Sequence, residues 1–189
     1  MKAKLVLITS LFLSSIVFAQ TTWTTDKNHS QLHFSAMHFG ITHIAGIFHK
    51  FEVSMNCEKE DFSDAQIEMI ADVKSIDTQV EMRDNDLKSH NWFDAEKFPE
   101  LVFKSTSLTK VKNNKYKLKG TITIHGVSKP IEFDVIFNGR AVTMTKKQTA
   151  GFTVRGKLNR SDFSLGKDSI LTGVSNEVEV WADVEIGMN

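Results

Sequence analysis

The sequence predicts an all-β domain of about eight antiparallel strands closed into a barrel, with a short helical insertion near residues 78–97. Apolar and polar residues alternate with period two through most of the chain, as in strands that bury one face. Short turn-forming clusters separate these runs, and no alternating helices signal a parallel sheet. An antiparallel meander with one apolar face must pack on a second sheet or close on itself, and closure best removes its edges.

The first residues, MKAKLVLITSLFLSSIVFAQ, carry Lys2 and Lys4, an apolar run from Leu5 to Phe18 and a Val-Phe-Ala step before Gln20. That is the pattern of a secretory signal peptide over residues 1–19, and the run falls short of the ~18 apolar residues a membrane span needs. Residues 20–189 are then expected to be one domain, periplasmic or secreted, with no stable membrane insertion. Removing 19 residues from 189 leaves 170, enough for a full core. Without Lys2 and Lys4 the 23 basic residues become 21 against 23 acidic ones, so nothing marks a nucleic-acid partner.

Strands are expected from about Gln31 to Phe39 and from about Ile44 to Cys57, the second changing phase between Phe48 and Phe51 as a bulge would. From Ala65 to Ser75 the residues Ala65, Ile67, Met69, Ala71 and Val73 share a face, with Ile70 the exception. A further strand covers Leu101 to Leu108. The same parity returns in Tyr116, Leu118, Ile122 and Ile124, in Ile131, Phe133, Val135 and Phe137, in Phe152, Val154 and Leu158, and from Val178 to Ile186. Turn chemistry separates these runs at Lys112 to Lys115, at His125 to Ser128 and at Asn138-Gly139. Large inward Phe alternate with small Ala36, Ser105, Gly120, Gly156 and Ala182. A barrel of this size is either filled by its side chains or just wide enough for one small ligand, and the pattern leaves both open.

Two stretches could carry chemistry. In SIDTQVEMRDNDLKSHNWFDAEKFPE, Thr78 and Glu81 have capping-box spacing and start a helix. One helix face then presents Val80, Arg83, Asp84 and Leu87, while Glu81, Asp86 and Lys88 face water. Asp94 is placed to cap a second turn that ends before Pro99. Catalysis here would need Asp77 or Asp84 as general base, but no nucleophile elbow, metal-ligand spacing or phosphate loop accompanies them. The second stretch holds His29, His33, His38, His43 and His49 within 21 residues, a possible metal group only if folding gathers three of them. His38 shares parity with Leu32, Phe34 and Ala36 and is expected at a barrel rim. The lone Cys57 continues a buried parity, and Trp23 and Trp181 read as barrel-end plugs or as an interface in a homodimer.

Several co-linear blocks resemble the YceI-like family of exported lipid- and polyisoprenoid-binding proteins. They are DKNHSQLHF, MHFGITHIAGIFHKF, the helical stretch through SIDTQVEMRDNDLKSHNWFDAEKFPELVFKST, GTITIHGVSKPIEF and GFTVRGKLNRSDFSL. The resemblance implies an extended, lipocalin-like barrel that holds a long-chain amphipathic lipid such as a polyisoprenoid or isoprenoid quinone, with no catalytic residue and no other cofactor. On that reading Leu32, Phe34, Ala36, Phe51, Phe103, Ile122, Ile124, Phe133, Val135, Phe152 and Val180 line the cavity. His38 and Arg83 meet the head group, with Asp84 holding Arg83. The family's usual glycine after SDF is Ser164 here, which puts the local turn in question. The alternative is a small periplasmic metal-binding protein or enzyme using the histidines or Asp77 and Asp84.

Overall fold

The computed structural model describes residues 21–167 and 173–188; the expected signal peptide lies outside them. Its strands are β1 (Thr21–Thr25), β2 (Gln31–His38), β3 (Thr42–Phe48), β4 (Phe51–Cys57), β5 (Gln66–Asp72), β6 (Ile76–Asp77), β7 (Glu100–Lys112), β8 (Lys115–Ile124), β9 (Val127–Val142), β10 (Gln148–Asn159) and β11 (Val174–Met188). One helix, α1 (Glu81–Lys88), lies between β6 and β7. Every neighbouring pair is antiparallel, in the order β1-β4-β5-β7-β8-β9-β10-β11, and β11 closes the ring on β1 through Trp23↔Met188 and Thr25↔Ile186. The remaining short strands continue the order from β11 through β2 and β3 to β6. The segments β1 with β2, β3 with β4 and β5 with β6 therefore each act as one interrupted strand, and the wall is the predicted eight-stranded barrel.

The three interruptions fall side by side and form a seam across adjacent strands. At each one the inward-facing parity changes: Trp23 gives way to Leu32 and Phe34, Phe48 to Phe51, and Ala71 to Ile76. The phase change expected between Phe48 and Phe51 is thus part of a wider break, made by a bend at His49 and Lys50. Backbone groups stranded at a break must find other partners. Hydroxyls supply them. Thr25 Oγ1 donates to the Val53 carbonyl and accepts from the Val53 amide, and Ser30 Oγ does the same with Glu185. Ser75 Oγ accepts from the Lys50 amide at 3.0 Å.

One barrel end is shut by aromatic packing. Phe62, from the β4–β5 connection, has Phe137 and Phe152 ring centroids each 5.3 Å away and Trp23 at 6.4 Å. Arg140 lies over the Phe62 ring at 4.7 Å. Trp23 is thus a plug. Trp181 instead stacks on His33 at 5.0 Å, which covers one face of the indole within the same chain. Asn138-Gly139 is not a turn: β9 runs on to Val142, and Gly139, at φ 136, lies beside a register shift opposite Gly151 and Phe152. The Asn-Gly signal was a bulge, because both flanking runs continue their pairing with β10.

Candidate functional site

At the opposite end the chain between β6 and β7 leaves the wall and packs over the strand ends. The expected capping box does not form. Gln79 adopts a left-handed φ of 66°, Val80 becomes the extended residue before α1, and no side chain caps the helix. That turn carries Thr78 away from the N-cap position, so its hydroxyl finds Asp84 instead.

Thr78 and Asp84, both buried, form the centre of a hydrogen-bond network. The Thr78 amide donates to Asp84 Oδ1 at 2.8 Å, and the Thr78 hydroxyl donates to the same oxygen. Arg83 Nε donates to Thr78 Oγ1 at 2.7 Å and Nη2 to the Thr78 carbonyl at 2.6 Å. Asp84 therefore holds Arg83 through Thr78 and does not itself face the cavity. Its negative charge in the first turn of α1 also suits the helix dipole. Val80, expected to anchor the helix, is 42 % exposed because the kink turns it outward.

The interior contains two adjoining voids. The deeper has a volume of about 140 Å³ and is walled by Leu32, Phe34, Phe51, Phe103, Ile122, Phe133, Val135, Phe152 and Val180 among other apolar residues. It is close to the roughly 150 Å³ known elsewhere to stay dry and accept a benzene-sized group. The wider, about 680 Å³, lies under the insertion and includes Phe34, Ala36, His38, Arg83, Ile124 and Val180. Phe34, Phe48, Leu101, Leu158 and Val180 belong to both walls, so the two voids adjoin across these apolar side chains. All eleven residues expected to line a cavity do so, as do His38 and Arg83.

Sequence reasoning missed much of the mouth. Ile44, Met82, Trp92, Phe93, Leu165 and Val178 also line the wider cavity. So does Arg160, which donates to the carbonyls of Leu165 (2.7 Å), Ser175 (3.2 Å) and Val174 (3.4 Å) and lies over the Trp92 ring at 5.5 Å. With its donors taken by carbonyls, Arg160 clasps the β10–β11 connection to the insertion. Arg83 differs, since its Nη1 has no acceptor among the described residues. Ser164 takes the left-handed conformation (φ 59°) that a glycine would adopt more cheaply, so the turn forms despite the substitution.

The alternative sites are weaker. His29 pairs with Asp26 (2.9 Å), His33 with Gln31 (2.9 Å), His43 with Ser35 (3.3 Å) and His49 with Asp77 (2.8 Å), so the histidines disperse along the wall. Among the described residues, the group that brings three possible ligands together is Asp26, His29 and Glu185. The Asp77 carboxyl is held below its ordinary range by His49 and by the Gln79 amide, the opposite of what a general base needs. Burial pushes the Cys57 thiol up, which makes it a poor nucleophile.

A closed antiparallel barrel, plugged at one end and enclosing an apolar interior beneath a mouth lined by Arg83 and Arg160, defines a class of cavity proteins. The chain belongs to the YceI-like family, whose domain matches residues 23–186. It is 32% identical to a UPF0312 protein of Staphylococcus aureus (strain N315) over 174 residues, 89% of this chain and 99% of that one. A Campylobacter jejuni YceI protein of known structure is 28% identical, with a TM-score of 0.72 over 79% of this chain and 87% of that one. The same fold occurs in a polyisoprenoid binding domain from Saccharophagus degradans, with a TM-score of 0.66, 14% identity and coverage of 88% and 98%. Among the described residues no helix is long and apolar enough to cross a membrane.

Proposed function

We propose that this is an exported carrier or store for a long-chain amphipathic lipid of the polyisoprenoid type, bound tail-inward with its head at the mouth. The observation that carries it is the wide cavity at the mouth stacked on a narrower apolar void, with five apolar side chains in both walls, an arrangement that suits an extended chain. The polyisoprenoid binding of the Saccharophagus domain agrees with it. At ~0.8 kcal/mol for each buried CH₂, ten methylenes contribute on the order of 8 kcal/mol before ordering costs. A charge-assisted hydrogen bond from Arg83 adds only ~1.5–3 kcal/mol, so the tail sets affinity and the head sets orientation. His38, in the same wall, is a second polar contact.

Native mass spectrometry of protein purified from its host should reveal a bound amphiphile. Arg83→Ala should weaken binding of an anionic long-chain lipid about tenfold and that of its neutral analogue less. Equal losses would remove the head-group role, and a chain that never carries or takes up lipid would remove the function.

A further inference from the structure

We infer that the barrel mouth is a membrane-docking surface, on which the β2–β3 turn and the start of α1 dip into the lipid from which the cavity is filled. This rests on the lipid-carrier reading but adds a second surface, outside the cavity. Phe39 is 67 % exposed, Ile41 82 % and Met82 81 %, and Val80 lies beside Met82 at the helix start. His38, which precedes the turn, and Ile44, which follows it, both line the wide cavity, as does Met82. The exposed apolar rim is therefore continuous with the apolar lining.

Backbone strain points the same way. Phe39 and Gly40 have φ of 48° and 72°, the pattern of a type I′ hairpin turn, whose first central position favours Asn, Asp or Gly. A phenylalanine held there against its conformational preference, with most of its surface in water, is unfavourable on both counts for stability alone. The Phe39 amide is tied to the Gly173 carbonyl at 2.6 Å, and any β-carbon at Gly173 would meet the Phe39 ring. The ring is thus held in an outward position.

Charge selects the partner. From Asn28 to His49 the chain has no Asp, Glu, Lys or Arg, although 24% of all residues are charged. The uncharged apolar β2–β3 turn suits the hydrocarbon edge of a bilayer better than a charged protein surface, while exposed Glu81, between Val80 and Met82, keeps the start of α1 at the depth of the head groups. The other exposed large apolar residues among those described, Val111, Val142 and Met144, lie on hairpins at the plugged end among Lys110, Lys112, Lys146 and Lys147, and line neither of the two voids. Exposure alone does not mark the mouth; exposure continuous with a cavity, on a turn without charge, does.

The test uses the exported protein, purified after removal of residues 1–19 so that the apolar Leu5–Phe18 run cannot itself partition, with neutral phosphatidylcholine vesicles. Flotation should recover wild-type protein with the vesicles, Phe39→Ser/Ile41→Ser should partition at least about tenfold less, and Ile41→Trp should partition more. Neither Phe39 nor Ile41 lines a cavity, so binding of a fluorescent long-chain lipid supplied as monomers should be unchanged in all three, while uptake from vesicles should slow only in the serine double variant. Equal partition of wild type and the double variant, or no partition at all, overturns docking even where monomeric lipid binds. Concentration-dependent dimerisation abolished by Ile41→Ser, without vesicle binding, also overturns it in favour of a second copy. Failure of wild type to bind monomeric lipid defeats the carrier reading instead, and flotation still decides docking.

Discussion

Replacing Thr78 by valine keeps its shape and removes one hydroxyl that serves two partners. Asp84 Oδ1 loses one of the two donors it has from Thr78, and Arg83 Nε loses its acceptor. Bonds to charged groups contribute ~1.5–3 kcal/mol each. The Asp84 carboxylate keeps the Thr78 amide, and half-buried Arg83 regains water at the mouth, so both losses are partial. The net destabilisation should be about 2–3 kcal/mol, or ~4–12 °C in Tm for a chain of this size. Urea unfolding of wild type, Thr78→Val and Thr78→Ser measures it, with serine within ~1 kcal/mol of wild type because it keeps the hydroxyl. Adding Asp84→Asn should give a double-mutant coupling of ~1 kcal/mol or more. A Thr78→Val variant within ~0.5 kcal/mol of wild type would refute the view that Thr78 organises the mouth.

Three further outcomes follow from other sites. A β-carbon at Gly46 would stand 2.3 Å from Phe34 Cζ, so Gly46→Ala should push that ring, which lies in the walls of both voids, into the cavity, weakening lipid binding about tenfold in a titration while costing ~1–2 kcal/mol in stability. Ser164→Gly should raise stability by ~0.5–1 kcal/mol in the same unfolding assay, since glycine adopts φ 59° without a β-carbon penalty. Asp26 raises the His29 pKa above its ordinary 6.5 by accepting its hydrogen bond, and His29 in turn holds Asp26 below 3.8. The His29 part of that stabilisation is complete below pH 6.5 and fades as pH rises through its folded pKa; the Asp26 part is complete above pH 3.8 and fades as pH falls through its own. In NMR titration, Asp26→Asn should return His29 towards 6.5.

Strands were legible wherever inside and outside alternate, because period two is imposed by the pleat itself. Phe34, Phe103, Phe133 and Phe152 were placed facing inward on that basis alone, while a cavity among them was implied by the resemblance. What escaped depends on the chain's path between strands. Thr78 and Glu81 had the right spacing for a capping box, but the left-handed Gln79 redirected Thr78 to Asp84, and no local pattern announces that choice. Trp92, Phe93 and Arg160 come together from segments far apart in sequence, where neither parity nor motif applies. Phe62 is similar: a left-handed residue (φ 60°) in a polar connection, it turns into the core because the barrel end needs a plug.

The seam resets the phase of the wall. A one-residue insertion in an uninterrupted strand such as β8 would invert every side chain beyond it and expose the core. The same insertion at His49-Lys50 falls where pairing already restarts, so β4 keeps its face whatever happens in β3. On these three strands the plugged base and the cup are therefore separable in register, and there the cup can lengthen, shorten or change its lining while the base beneath it stays as it is.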